Sequence, residues 1–390
     1  MRKPRKIKRY NKIYRSGYGT RKKVLRWSIF VVIILAVIFV GYSVAGPFMD
    51  FVNGRIEPSS SDSSSVDSSQ TDGSSSSGLS SESEPEQTAD EALKAVNLPL
   101  DTAKDTAALS AFLTSAKENG ANAVILELKD TTGVLHYNSS LEQAVSYGAV
   151  SSDPLDLSTV LGAIKASGLT PVAKLSAFMD KTAPNVARDN GYLYENTNSA
   201  WWDNAVDAGG KPWLNPYKTA ACDYLIAIQN ELIDAGFETI LWHKVEFPEV
   251  RQLSSANMGP EAEGVSQQQA LSNFISRCET EAETKGAMVY ISYPVSASFG
   301  VNESWFGGDP AALGAKHVAP VMDLSSLSGV TVGEAALDLT DPQAAAAQVL
   351  TAYSQKVGEA QILPVVEDEA YTDAVKAAAE SLEIEGYVAP

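Results

Sequence analysis

From residue 93 to the C-terminus, short apolar runs alternate with longer segments whose apolar residues recur at helical spacing. Eight runs have the length and composition of largely buried strands. They span residues 95–100, 121–129, 169–178, 239–247, 287–293, 317–324, 360–367 and 385–389. The helical segments between them are residues 106–119, 157–167, 218–235, 266–285, 310–315, 342–357 and 370–383.

Strict alternation of strands and helices predicts an α/β fold with parallel strands joined by right-handed crossovers. Eight such units over about 300 residues favour a (β/α)8 TIM barrel. A doubly wound open sheet is the alternative, but neither G-x-G-x-x-G nor G-x-x-x-x-G-K-[ST] follows any of the eight runs. In a barrel, the functional face lies at the C-terminal ends of the strands.

The N-terminal residues follow a different pattern. Residues 28–45 read SIFVVIILAVIFVGYSVA and carry no charge, which is long enough to cross a bilayer as a helix. Residues 1–27 hold 12 Lys and Arg and no acidic residue, which places the N-terminus in the cytoplasm. We therefore predict a basic cytoplasmic tail (1–27), a transmembrane signal anchor (28–46) and an extracellular C-terminal domain in a single-pass cell-membrane protein. A cleaved signal peptide is the alternative, because Ser-Val-Ala at 43–45 fits a cleavage site.

A Ser-rich acidic linker is predicted at residues 47–92, followed by the barrel at 93–390. Between residues 58 and 91, 15 residues are Ser and eight are acidic, so this stretch has too little apolar surface to offset the entropy of ordering. The formal net charge of −18 argues against nucleic acid as a partner, because a polyanion is bound by clustered Lys and Arg. Two Cys and three well-separated His give no metal-binding pattern, so we predict no metal and no cofactor.

Polar and aromatic side chains gather where the predicted strands end. The polar ones are Glu127, Lys129, Asp130, Lys174, Ser176, Asp180, His243, Lys244, Glu246, Glu249, Tyr290, Ser292, Tyr293, Asp323, Glu367 and Asp368. The aromatic ones are Phe178, Trp201, Trp202, Trp213, Trp242 and Trp305. Apolar sugar faces stack on indole rings and sugar hydroxyls hydrogen-bond to carboxylates, so this combination predicts a face that binds carbohydrate.

Four segments resemble the motifs of one family in the same order. Residues 122–138, NAVILELKDTTGVLHYN, are similar to N-A-v-V-i-D-v-K-D-x-x-G-x-v-x-Y, and residues 172–180, VAKLSAFMD, are similar to I-A-R-i-v-x-F-k-D. Residues 213–248 end in GFETILWHKVEFP, which resembles G-F-D-E-I-q-F-D-Y-i-R-F-P, and residues 291–300, ISYPVSASFG, resemble v-S-A-d-v-F-G. These are motifs of the glycoside-hydrolase-like family DUF4015. The resemblance implies a barrel fold and a carbohydrate substrate.

The departures from the family pattern fall on the residues expected to carry chemistry. The Asp, Tyr and Arg of F-D-Y-i-R-F-P fall on His243, Lys244 and Glu246, and the early Asp of the second strand falls on Glu127. Two hypotheses therefore stand. One is a membrane-anchored extracellular glycoside hydrolase acting on cell-wall or extracellular polysaccharide. The other is a catalytically inactive barrel that binds a glycan or a protein as a scaffold at the cell surface.

Hydrolysis of a glycosidic bond needs two carboxyl groups, one of which stays protonated. The catalytic candidates are Glu246, Asp130 and Asp323. The substrate-binding candidates are Lys129, Lys174, His243, Trp202, Trp213, Tyr293 and Glu367. Two simpler interpretations stay open. In the first, Glu246 and Glu249 are solvated loop charges. In the second, Lys129 and Asp130 form an ion pair at a strand end.

Overall fold

The computed structural model describes residues 92–248 and 253–390. They belong to a compact unit that begins at Pro85. The predicted tail (1–27), the predicted anchor (28–46) and all of the predicted linker except residue 92 lie outside the described residues. None of the helices in the described part is both long and apolar enough to span a bilayer.

Parallel strands form the central sheet. They are β1 (Lys94–Asn97), β2 (Ala123–Lys129), β3 (Thr170–Ser176), β4 (Thr239–His243), β5 (Met288–Pro294), β6 (His317–Val321), β7 (Gln361–Ile362) and β8 (Tyr387–Ala389). Each strand pairs in parallel with the next from β1 to β7, and β8 pairs with β1. A parallel bridge between Val365 and Val388 joins the segment after β7 to β8. The pairing therefore closes into a TIM-like barrel, and the predicted α/β fold with a parallel sheet is confirmed.

Helices of ten residues or more flank the described strands. They are α1 (Thr106–Glu118), α2 (Leu157–Ala166), α3 (Thr219–Ala235), α4 (Gln267–Thr284), α5 (Pro342–Val357) and α6 (Thr372–Ser381). Side-chain caps start α1, α2, α4 and α5, where Asp or Ser accepts a hydrogen bond from a free backbone N–H of the first turn. The helix predicted at 310–315 is instead a 3-10 turn, Pro310–Leu313.

The chain does not keep the strict alternation that the sequence predicted. After β2 it adds a short strand, Leu135–Tyr137, antiparallel to β2, and a further strand, Val150–Leu155, parallel to that one. The reversal after β2 passes through Gly133, whose φ is 85°. A Cβ at this position would lie 2.0 Å from Asp180 Oδ1, so the turn needs glycine for both its conformation and its space.

Side chains alternate between the barrel interior and the layer beneath the helices. The interior holds an apolar cluster of Ala95, Ala123, Ile125, Val172, Leu241, Tyr290, Ala319, Leu363, Val365 and Val388. Successive side chains of a strand point to opposite faces. Two residues further along the strands, the same inward positions are occupied by Asn97, Glu127, Lys174, His243, Ser292 and Glu367. The apolar interior thus ends in a polar layer at the C-terminal mouth of the barrel.

Candidate functional site

A cavity of about 180 Å³ opens at the C-terminal ends of the strands. We call it the mouth pocket. Its polar lining residues are Asn97, Lys174, His243, Lys244, Glu246, Ser292 and Glu367. Apolar residues of the barrel interior, among them Ile125 and Leu241, also line it. The pocket therefore combines an apolar surface with hydrogen-bonding groups, as small-molecule sites do.

A second cavity of about 310 Å³ lies next to the mouth pocket. We call it the tryptophan cleft because Trp213 and Trp305 line it, together with Met179 and Phe247. Lys244 and Glu246 line both cavities. The Glu246 residue therefore lies on the border between a polar pocket and an aromatic cleft.

Glu246 follows β4 and is buried, with only 5 % of its surface exposed. Its Oε1 lies 3.2 Å from Lys244 Nζ. Burial raises the pKa of the Glu246 carboxyl, although the Lys244 ammonium acts in the opposite direction. The interpretation of Glu246 as a solvated loop charge is therefore wrong, while Glu249 lies outside the described residues.

The backbone beside Glu246 is strained. Lys244 has a φ of 58°, in the left-handed region that a residue with a long side chain seldom occupies. This conformation lets the Lys244 carbonyl accept a hydrogen bond from Phe178 N at 3.1 Å while its ammonium stays near Glu246. Strained residues of this kind cluster at functional sites.

Glu127 supplies a second carboxyl group at the same end of the barrel. Its Oε1 lies 3.3 Å from His243 Nε2 and 4.0 Å from Lys174 Nζ. The neighbouring imidazole lowers the pKa of Glu127. Burial acts in the opposite direction, but together with the Lys174 ammonium the imidazole holds this pKa below its ordinary value. Burial lowers the pKa of His243 itself, which favours a neutral imidazole. The predicted candidates Lys174, His243, Glu246 and Glu367 are thus brought together at the mouth pocket.

Asp130 and Lys129 face other partners. Asp130 Oδ1 accepts hydrogen bonds from Thr132 Oγ1 at 2.6 Å and Thr132 N at 2.8 Å, and its Oδ2 lies 3.0 Å from His136 Nε2. Partial burial acts to raise the pKa of Asp130, but these hydrogen-bonding groups hold it well below its usual range. Lys129 is fully buried and pairs with Asp180 at 2.9 Å. The proposed Lys129–Asp130 pair is therefore wrong, and burial removes Lys129 from the reach of a ligand.

Asp323 and Tyr293 are also occupied by internal contacts. Asp323 accepts hydrogen bonds from Ser296 N at 3.0 Å and Ser296 Oγ at 2.6 Å. The Tyr293 hydroxyl lies 2.6 Å from the Tyr353 hydroxyl of α5. Tyr293 contributes to the wall of the mouth pocket, but its hydroxyl points into the helix layer. Asp323 thus links the segment after β6 to the turn after β5. Tyr293 links β5 to α5.

The tryptophans divide between the cleft and the rest of the domain. Trp213 donates a hydrogen bond from Nε1 to Asp203 Oδ2 at 2.7 Å, which fixes its indole in the cleft wall. Trp202 is half-buried and is not among the residues that line either cavity. Trp305, which was not chosen as a site candidate, lines the cleft instead.

Glu127 was also missed as a catalytic candidate, although a signal for it existed. Ala123 and Ile125 of β2 face the interior, so the period of two along the strand puts Glu127 on the same face. Among the described residues, no group of three or more His, Cys, Asp or Glu side chains has the arrangement of a metal site. Cys222 and Cys278 are buried free thiols.

Comparison with known proteins agrees with this architecture. The PgaB (BpsB) glycoside hydrolase domain from Bordetella bronchiseptica superposes with a TM-score of 0.55 at 14 % identity, covering 77 % of this chain and 94 % of that one. A hypothetical protein from Ruminiclostridium thermocellum ATCC 27405 matches with a TM-score of 0.44 at 21 % identity, covering 50 % of this chain and 96 % of that one. No curated protein matches the chain.

The similarity to the Bordetella domain supports a shared fold and no more, because the identity is low. The family comparison is more specific. The model of DUF4015, described as "Putative glycosyl hydrolase domain", matches residues 95–315, which is more than half of the chain. The chain therefore belongs to the DUF4015 glycosyl hydrolase-like family.

Proposed function

We propose that this chain is a membrane-anchored extracellular protein whose barrel hydrolyses glycosidic bonds in a cell-wall or extracellular polysaccharide. One observation carries the proposal. Two carboxyl groups at the mouth of the barrel have environments that shift their pKa values in opposite directions, upward for Glu246 and downward for Glu127. Such a divergence assigns an acid and a base to a pair of carboxyl groups.

In this proposal Glu246 donates a proton to the departing sugar oxygen. Its burial keeps a larger fraction of the carboxyl protonated than in an exposed glutamate. Glu127, held ionised by His243 and Lys174, is the carboxylate that attacks the anomeric carbon or activates a water. The indoles of Trp213 and Trp305 supply surfaces on which a sugar ring can stack.

The membrane anchor and the extracellular location rest on the sequence. Residues 28–45 form an uncharged apolar run after a tail with 12 basic residues, a pattern that orients the following domain outward. The acidic Ser-rich residues 58–91 would give the barrel a reach of about 30–35 Å from the membrane. That distance suits a domain that works on the wall polymer.

A non-catalytic glycan-binding scaffold is the second candidate. Two observations favour it: Lys244 lies 3.2 Å from Glu246 and opposes protonation of its carboxyl, and His243 stands where the family pattern has an Asp. A barrel with these substitutions could hold a polysaccharide in the tryptophan cleft without cleaving it. The same cavities would then serve binding alone.

The experiment compares binding with cleavage. The unit from Pro85 to Pro390 is incubated with purified peptidoglycan and extracellular polysaccharides, and both retention on the polymer and release of reducing ends are measured. We expect Glu246→Gln to lower release by about 10²- to 10⁴-fold, the usual contribution of a general acid, and to keep retention. Glu334→Gln, at an exposed position, is the control. Retention without release by the unmodified protein would establish the scaffold instead.

A further inference from the structure

The mouth pocket is lined by polar side chains that have no partner within the described part of the chain. Ser292, on β5, has 6 % of its surface exposed and lines the pocket. Its hydroxyl makes no hydrogen bond there, and neither do the side chains of Asn97 and Glu367 at the exposed rim. A buried hydroxyl without a partner costs free energy, so the Ser292 hydroxyl favours a ligand that bonds to it.

Other polar residues near the strand ends differ from this set. Asp323 bonds to Ser296, and the Tyr293 hydroxyl bonds to Tyr353. Asp130 is held by its own turn. Their polar atoms are paired inside the protein, whereas the unpaired groups surround the cavity.

The mouth pocket is closed on its lower side. Its apolar lining consists of Ile125, Leu241, Val321, Val365 and Val388, which belong to the interior cluster of the barrel or pack against it. This cluster fills the space beneath the pocket, so a sugar chain has no path through the barrel. A volume of about 180 Å³ suits one pyranose sugar and not two.

The tryptophan cleft adjoins the mouth pocket, since Lys244 and Glu246 line both. Two other cavities lie apart from them. One of about 650 Å³ lies against α2 and α3, and one of about 420 Å³ lies at the N-terminal end of the barrel. Neither shares a lining residue with the mouth pocket. Of these cavities, the tryptophan cleft is thus the one into which a glycan with one sugar in the pocket would continue.

The positions of the two carboxyl groups give the direction of the glycan. Glu246 lies on the border of the two cavities, beside the bond between a sugar in the pocket and a sugar in the cleft. Glu127 lies within 4.0 Å of His243 and Lys174, which both line the pocket. The carboxylate of a glycosidase acts at the anomeric carbon, so that carbon belongs to the sugar in the pocket. This sugar is therefore on the non-reducing side of the bond.

We propose that the mouth pocket binds the single sugar at the non-reducing end of a glycan chain and that Ser292 recognises one of its hydroxyls. The direction of the chain rests on the proposed function, because it follows from the acid and the base assigned there. In each cycle Glu246 protonates the glycosidic oxygen, and the bond from this oxygen to the anomeric carbon breaks. One water supplies a hydroxyl to that carbon and a proton to the carboxyl pair. The products are one free sugar and a chain that is shorter by one sugar.

The test uses the full chain in detergent as the Glu246→Gln variant, so that bound glycans are not cleaved. The probes are peptidoglycan fragments and oligosaccharides of extracellular polysaccharides, attached to an array through their reducing ends. A second copy of each carries a benzylidene acetal across the terminal 4- and 6-hydroxyls, which adds a phenyl group to a sugar that already fills the pocket. We expect binding to free ends to be at least about 10-fold stronger than to blocked ends, the effect of losing one or two hydrogen bonds.

Two further substitutions in this background test the pocket residues. Ser292→Ala should weaken binding to free ends by about 2- to 10-fold, the scale of one hydrogen bond. Ser298→Ala is the matched control, because Ser298 is also buried and without a hydrogen-bond partner but is not among the residues lining the mouth pocket. Asn97→Trp should fill the pocket from its exposed rim and remove the preference for free ends. Lys94→Trp, exposed at the other end of β1, is its control.

Equal binding to free and blocked ends, no binding to any oligosaccharide, or a preference that Asn97→Trp leaves unchanged would each overturn the proposal. Unchanged binding in Ser292→Ala would overturn the role of Ser292. The products of the unmodified protein separate these results from the proposed function. A preference for free ends without release of sugar would support the end-binding site and contradict hydrolysis. Equal rates of release from free and blocked chains would support hydrolysis and contradict the end-binding site.

Discussion

Two lysine–carboxylate pairs lie at the same end of the barrel and differ in their access to solvent. Lys129 and Asp180 are 2.9 Å apart, and both side chains are 0 % exposed. Lys244 and Glu246 are 3.2 Å apart, with 33 % and 6 % of the side chains exposed, and they line two cavities. The first pair has no route to a ligand, whereas the second pair has two.

The difference shows that one pair supports the architecture and the other is available for chemistry. Lys129 also donates to Ser176 O at 2.9 Å, and Asp180 Oδ1 accepts from Thr182 N at 2.8 Å and Ala183 N at 2.9 Å. The pair thus ties the end of β2 to the segment that follows β3. No comparable set of backbone contacts surrounds the Glu246 carboxylate among the described residues.

The largest expected effect comes from removing one member of the enclosed pair. We expect Lys129→Met to lower the free energy of unfolding by about 3–5 kcal/mol, because it leaves the Asp180 charge buried and uncompensated. Lys244→Met should cost about 1 kcal/mol, since water in the adjoining cavities can solvate Glu246. Urea unfolding of both variants measures the difference. Equal losses of stability would show that access to solvent does not change the cost of leaving the carboxylate unpaired.

Neutralising both members of the enclosed pair should recover most of that loss. In the double variant Lys129→Met with Asp180→Asn no buried charge remains, and the amide oxygen of Asn can still accept from Thr182 N and Ala183 N. We expect a net loss of about 1–2 kcal/mol relative to the unmodified protein. A double variant no more stable than Lys129→Met would point to lost packing rather than unpaired charge.

Tyr293 lines the mouth pocket, but we expect its hydroxyl to contribute to the stability of the fold and not to binding. We expect Tyr293→Phe to lower the free energy of unfolding by about 1 kcal/mol, because it removes one hydrogen bond to the buried Tyr353 hydroxyl. Retention on polysaccharide should not change. Tyr194→Phe, at an exposed position, serves as the control and should change stability by less than about 0.5 kcal/mol. Lost retention in Tyr293→Phe alone would give this hydroxyl a role in binding.

The smallest expected effect is a pH dependence carried by Glu246. Its pKa is raised in the folded state, so the folded protein binds this proton more tightly than the unfolded chain does. The resulting stability is present below the unfolded pKa and is lost as the pH rises through the folded pKa. The Gln side chain of the Glu246→Gln variant does not titrate. The free energy of unfolding of this variant should therefore rise with pH relative to that of the unmodified protein, by less than about 1.4 kcal/mol per pH unit. Unfolding curves between pH 4 and 8 measure this, and a constant difference would contradict it.

The barrel could be predicted from the sequence because its signal is repeated and local. Each interior strand is an apolar run, and α3 ends at Gly236 with a φ of 111°. The inserted strand Leu135–Tyr137 was missed because three residues give no periodicity. The turn that leads into it packs Gly133 closely against Asp180, a residue far away in the sequence.

The site was harder to predict because the contacts of a side chain depend on the tertiary structure and not on its local sequence. Asp130 and Glu246 are both acidic residues near strand ends, yet the first is held by Thr132 and His136 and the second is buried at a cavity border. Nothing in the local sequence pairs Lys129 with Asp180 rather than with Asp130. Strand periodicity would have identified Glu127, since it continues the inward face of β2.

The most direct test of the account is a pH titration of the two carboxyl groups, monitored by ¹³C NMR. The unit from Pro85 to Pro390 is labelled with ¹³Cδ-glutamate, and the two resonances are assigned with Glu246→Gln and Glu127→Gln. We predict that Glu246 titrates above the ordinary glutamate pKa and Glu127 below it. Titration of both carboxyls at the same pH, or in the reverse order, would contradict the assignment of an acid and a base at the barrel mouth.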